Sequence, residues 1–116
     1  MRDDRERLRD ILEAIDNIQA EADKGKNAFE SEKLVQTWII HHLQIIGEAA
    51  SKVSQPLQEA EPRIPWPQIV AMRNILVHEY FGVDLEEVWR AVERDLSPLK
   101  RASEALLASL SSDHRS

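Results

Sequence analysis

The sequence predicts an all-α protein, an antiparallel bundle of four to five helices around one core. Apolar residues recur at helical spacing in four long stretches. Glycine is scarce, at three in 116 residues. The chain is also 42% hydrophobic and 31% charged, which suits a soluble helical domain. A sheet protein needs more turn residues and more β-branched and aromatic side chains. This length holds one domain with one core, expected over residues 1–110, with 111–116 as a flexible tail.

The first helix is expected from about Asp3 to Asp23, where Leu8, Ile11, Leu12, Ile15 and Ile18 form one buried stripe. Gly25 and Asn27 then stop it. The second runs from near Ser31 to about Val53. Its wide apolar face, Leu34, Val35, Trp38, Ile39, Ile45, Ile46, Ala49 and Val53, makes it the central element. Gly47 in mid-helix costs about 1 kcal/mol against Ala, which predicts another backbone close by. Residues 54–66 read as a connection, because Pro56, Pro62 and Pro65 oppose regular helix.

Trp66-Pro67 opens the third helix, since proline suits a first helical position. It carries Ile69, Val70, Met72, Ile75 and Leu76 and is expected to stop near Phe81-Gly82. Asp84 and Glu87 have capping-box spacing for the fourth helix, with its stripe Leu85, Val88, Trp89, Val92, Leu96 and Leu99. Pro98 predicts a kink before the stretch Ala102–Leu110.

The net charge is −6. That argues against a broad basic face of the kind that grips nucleic acid along its length. Residues 1–61 hold 8 basic and 13 acidic side chains, whereas residues 62–110 hold 6 and 7. A nucleic-acid contact should therefore be local and centred in the second half, or shared with a second chain. There is no cysteine, so disulfides, thiolate nucleophiles and Cys-type zinc sites are excluded. No apolar run reaches the roughly 20 residues of a membrane span. The charged start Met1-Arg2-Asp3-Asp4-Arg5-Glu6 is unlike a signal peptide, so a cytoplasmic location without membrane association is expected.

The third helix carries the candidate chemistry. Tyr80 returns to within about 20° of Arg73 on the helical wheel, while Asn74 and His78 stack about 100–140° around from it. Such a helix presents a guanidinium, an amide, an imidazole and a phenol. Arg can hold a phosphate through two parallel hydrogen bonds, and His suits proton transfer near neutrality. On spacing alone an exposed or salt-bridged helix face explains the same residues. His41 and His42 are adjacent and point about 100° apart, so they cannot chelate one metal together. A metal hydrolase built on them with Glu48 and His78 lacks any established ligand spacing. Glu48 follows Gly47 and is expected to fix Arg73 or line its cleft. Trp38, Trp66 and Trp89 read as core or interface anchors, and the charges from Asp3 to Asp10 as a solvated helix face.

Arg73-x4-His78-x-Tyr80 lies within Met72-Arg73-Asn74-Ile75-Leu76-Val77-His78-Glu79-Tyr80-Phe81-Gly82. Together with Leu43-Gln44-Ile45-Ile46-Gly47-Glu48-Ala49-Ala50 and Asp95-Leu96-Ser97-Pro98-Leu99, it resembles the HepT-like toxins of the HEPN superfamily over nearly the whole domain. The resemblance implies a metal-independent endoribonuclease toxin, without cofactor, acting on RNA as a homodimer. Arg73 and His78 would be the catalytic pair, with Asn74 and Glu48 supporting the phosphate or the imidazole. Tyr80 matches the position that a cognate minimal nucleotidyltransferase antitoxin modifies with AMP. The alternative is a non-catalytic module of the same fold that binds a nucleotide or the nucleotidyltransferase.

Overall fold

A computed structural model describes residues 3–78 and 83–113. Among them the chain forms seven helices and no strand. α1 (Asp4–Ala22), α3 (Lys33–Ser51), α5 (Trp66–His78), α6 (Leu85–Arg94) and α7 (Leu96–Asp113) are the main ones; α2 (Lys26–Ser31) and α4 (Gln55–Ala60) are short. The expected bundle is present.

α1 starts where the apolar periodicity placed it, because the Asp3 carboxylate accepts from the Glu6 N–H at 3.1 Å and satisfies one of the free donors of the first turn. Leu8, Ile11, Ala14, Ile15 and Ile18 are its buried stripe. Central α3 packs against α1 on one flank and α5 on the other, and α7 covers α1 elsewhere. α1 and α3 run antiparallel. Trp38 Nε1 donates to the Asn17 carbonyl at 3.0 Å near one end, and Ser54 Oγ donates to the Asp4 carboxylate at 2.6 Å at the other.

Gly47 accounts for the α3–α5 spacing. A Cβ built there would fall 2.1 Å from Arg73 Cβ and 3.2 Å from the Ile69 carbonyl oxygen. The close approach expected of a mid-helix glycine is thus an approach to the helix that carries Arg73. Gln44, one turn earlier on α3, donates through Nε2 to the Leu76 carbonyl at 3.1 Å. Two α3 residues thereby set the distance and the register of α5.

Four boundaries differ from expectation. Gly25 ends α1 but also begins α2, with φ at +95°, a conformation glycine adopts without strain. α2 then buries Phe29 against Trp89, with ring centroids 5.2 Å apart. The connection 54–66 contains α4, whose first turn accommodates Pro56 because no helical partner for its N–H is needed there. Its last residues are tied to α5 by Trp66, whose Nε1 donates to the carbonyls of Gln58 and Glu61, each at 3.2 Å. The fourth helical segment breaks at Asp95 and not at Pro98. A continuous helix would require an N–H from Pro98 to the Arg94 carbonyl. Starting α7 at Leu96 puts Pro98 in a first turn, where that donor is dispensable. α7 then runs to Asp113, past Leu110, where the helical reading ended.

Asp84 caps α6 by accepting from the Glu86 N–H at 2.9 Å. Glu87 does not complete a reciprocal box; its carboxylate pairs with Arg90. Trp66 and Trp89 are buried in the core, whereas Trp38 is 44% exposed. The expected stop near Phe81-Gly82 lies outside the described residues.

Candidate active site

Arg73 leaves α5 over Gly47, so its stem is fixed where the two helices are closest. Its guanidinium then meets two acceptors. Nη2 pairs with Glu48 Oε2 at 2.9 Å, and Nη1 donates to Asn74 Oδ1, also at 2.9 Å. Arg73 remains 32% exposed, so part of its donor fork still faces solvent. A guanidinium has five N–H groups, and these two contacts leave three for a ligand. The neighbours Gly47 and Glu48 thus do complementary work: one admits the arginine stem, the other orients its head.

Glu48 is held in turn. Its Oε1 pairs with Lys52 Nζ at 2.9 Å, one turn along α3. The hydrogen bond from Lys52 lowers the Glu48 carboxyl below its ordinary value of 4.5, and the charges of Lys52, Arg73 and Arg7 reinforce that; partial desolvation opposes it. Glu48 is therefore an anion at neutral pH. The Arg73–Glu48 contact expected from sequence is present in the structure.

Around this pair lies an open depression of about 370 Å³, lined by Arg7 and Asp10 of α1, His41, Gln44, Ile45, Glu48 and Ala49 of α3, and Arg73 and Val77 of α5. Arg7 and Asp10 are thus not part of a purely solvated helix face. His41 borders the depression and is exposed; adjacent His42 is buried, with Nδ1 donating to the Trp38 carbonyl at 2.8 Å. The two imidazoles have different environments, and His42 serves as a core hydrogen-bond donor. Among the described residues no three His, Asp or Glu side chains come together to hold a metal ion.

His78 is the last residue of α5, five positions beyond Arg73 and four beyond Asn74. The amide oxygen of Asn74, one turn earlier, is already bonded to Arg73. Tyr80 lies outside the described residues. A larger groove of about 560 Å³, lined in part by Ile69, Met72, Asp95, Leu96, Pro98 and Leu99, holds none of Glu48, Arg73 and Asn74 among the described residues. The late sequence signature Asp95–Leu99 therefore shapes a different surface.

Sequence reasoning did not single out Arg7, Gln44 or Lys52. Lys52 was accessible from its four-residue spacing to Glu48, and Gln44 from its place one turn before it. Arg7 was not, because only tertiary packing brings α1 beside that stretch of α3.

The family model for HepT-like ribonucleases matches residues 11–106. Among curated proteins, the chain is 39% identical over 98 residues to "Putative RNase MJ1380" of Methanocaldococcus jannaschii, covering 84% of this chain and 90% of that one. It is 38% identical over 102 residues to "Probable ribonuclease HepT" of Thermococcus cleftensis, covering 85% and 91%. No solved structure is significantly similar to it. Fold, motif and matches define an all-α enzyme of the ribonuclease class. The chain belongs to the HepT-like ribonuclease family of the HEPN superfamily.

Because the Glu48 carboxyl is lowered in the folded protein, its contribution to stability is complete above pH 4.5 and is lost as pH falls through the lowered value. Glu48→Gln should therefore cost less than about 1 kcal/mol at neutral pH, as a half-exposed pair does. Urea melts at stepped pH should show that difference shrinking in acid. A pH-independent difference would contradict the ionic role.

Proposed function

We propose that the protein is a metal-independent endoribonuclease toxin in which Arg73 and His78 form the catalytic pair. The observation that carries this reading is the fixing of Arg73 by Gly47, Glu48 and Asn74 beside an open depression. An arginine prepared in this way stabilises charge on phosphoryl oxygens without reorganising at the moment of reaction. The ribose 2′-oxygen forms a bond to phosphorus while the bond to the 5′-oxygen breaks. One imidazole accepts the 2′ proton and another protonates the leaving 5′-oxygen. The products are a 2′,3′-cyclic phosphate and a 5′-hydroxyl, and no metal or cofactor enters the balance. Asn74, bonded to Arg73 and one turn before His78 in the sequence, would help orient the phosphate or the imidazole.

A second protomer would supply a second His78 as the partner acid or base, so we assign the active form to a homodimer. Leu34 is 85% exposed, Ile75 50%, Trp38 44% and Val77 42%. Trp38 lies one turn from His41, and Val77 lines the depression itself. Apolar surface of this kind beside a polar cleft is what a second copy would cover. The acidic balance of the chain favours the same arrangement, since two sites side by side double the local cations available to RNA.

Tyr80 is assigned to regulation. Adenylate placed on it by a minimal nucleotidyltransferase antitoxin would add a phosphate and a bulky base seven residues along the chain from Arg73. RNA would then be excluded by occupancy and by charge.

Purified protein should cut RNA with EDTA present and leave 2′,3′-cyclic ends. His78→Ala should lower the rate at least about 100-fold, the usual worth of a general acid or base, with the helical circular dichroism spectrum preserved. Equal cleavage by variant and wild type would remove His78 from the mechanism. With ATP and the nucleotidyltransferase, the wild type should gain adenylate mass and lose activity. Tyr80→Phe should show neither change; adenylation of that variant would place the modification elsewhere.

A further inference from the structure

Arg7 belongs to a helix that contributes nothing to the Arg73–His78 motif, yet it lines the same depression. The antiparallel register of α1 and α3 brings the first turns of α1 beside the half of α3 that carries Gln44 and Glu48. Leu8 and Ile11 turn into the core next to it, so Arg7 emerges half-buried at the edge of the stripe. Central α3 has Arg7 on its α1 flank and Arg73 on its α5 flank.

The charges around this depression are mostly committed. Glu48 is shared by Arg73 and Lys52, and Arg73 also holds Asn74. Asp10 lies in the same depression and has interactions of its own. Among the described residues, however, the Arg7 side chain makes no hydrogen bond or ion pair, although its charge is felt at Glu48. A half-buried guanidinium gives up hydration, and without a protein acceptor it is poised for an anion from outside. Its fork of donors matches a phosphate. With Lys52 adjoining, three cations face the two carboxylates Glu48 and Asp10, so this patch is locally cationic on a chain of net charge −6.

We propose that Arg7 is a second phosphate-binding residue of this site, gripping the RNA backbone at a phosphate neighbouring the one that Arg73 holds for cleavage. This rests on the ribonuclease reading of Arg73 and His78 and deepens it. It means that bound RNA crosses α3 from the α5 flank to the α1 flank. A contact remote from the scissile bond is made equally in the ground state and the transition state, so it acts on KM and not on kcat.

The test uses the full chain with Arg7→Gln and Arg7→Lys, and a fluorescent single-stranded oligoribonucleotide of mixed sequence. Arg7→Gln should raise KM about tenfold with kcat essentially unchanged, as loss of uniform binding does. Anisotropy titrations at stepped KCl, made in a His78→Ala background to prevent cutting, should show the log K against log salt slope smaller by about 0.7. Arg7→Lys should retain the slope. All variants should melt close to the wild type, because the Arg7 side chain makes no hydrogen bond or ion pair among the described residues and acts on Glu48 only through its charge. Unchanged KM and slope in Arg7→Gln, while the wild type cuts, would overturn the role of Arg7 alone. A wild type that neither binds nor cuts the RNA would overturn the ribonuclease reading and this inference with it.

Discussion

The contact on which the rest depends is the approach of Arg73 to the bare backbone of Gly47. No side chain fits there: a Cβ would sit 2.1 Å from that of Arg73, far inside van der Waals contact. Because the position is glycine, α3 and α5 meet closely enough for Glu48, the next residue, to reach the Arg73 guanidinium at 2.9 Å. Gln44 then holds the Leu76 carbonyl from one turn earlier. A single face of α3 therefore sets the distance, the register and the charge partner of the helix that carries the candidate chemistry. Glycine inside a helix costs about 1 kcal/mol against alanine, and here that cost is exchanged for a fixed arginine.

Electrostatics gives the second half of the account. An acidic chain would repel RNA if its cations were evenly spread. Here Arg73 of α5 and Arg7 of α1 meet at one depression, Lys52 adjoins it from the end of α3, and Glu48 pairs with Arg73 and Lys52. Glu48 reduces the local positive charge, but it spares Arg73 the side-chain entropy of finding its position each time a phosphate arrives. Orientation is gained at some expense in attraction, and the uncommitted Arg7 restores part of the attraction.

Much of this was legible in the sequence because helices announce themselves locally. The stripes of α1 and α6 lie where periodicity placed them, whereas the face expected for α3 is corrected at Leu34 and Trp38, which are exposed, and at Ile40 and Leu43, which are buried instead. The Gly47–Glu48 pair was readable because a glycine followed by a carboxylate in a mostly apolar helix demands a close partner. What was missed follows from competing local rules. Pro56 marked residues 54–66 as irregular, but proline at a helix start is permissive and α4 forms behind it. Pro98 was expected to kink a helix, and the chain instead ends one helix at Asp95 and starts another. Arg7 could not be found at all, because no spacing along the chain relates α1 to residue 73. The role of Tyr80 came only from family resemblance, since a phenol on a helix has no regulatory signature of its own.

The central claim is that Gly47 and Arg73 are coupled through one steric contact, and a double-mutant cycle in urea measures it most directly. Gly47→Ala should destabilise the wild type by about 1–3 kcal/mol, as overpacking does, despite its better helix propensity. In an Arg73→Gly background the opposing Cβ is gone, so the same substitution should cost little or stabilise the fold, giving a coupling energy above about 1 kcal/mol. Equal effects of Gly47→Ala in both backgrounds would show that α5 is positioned by something other than this contact.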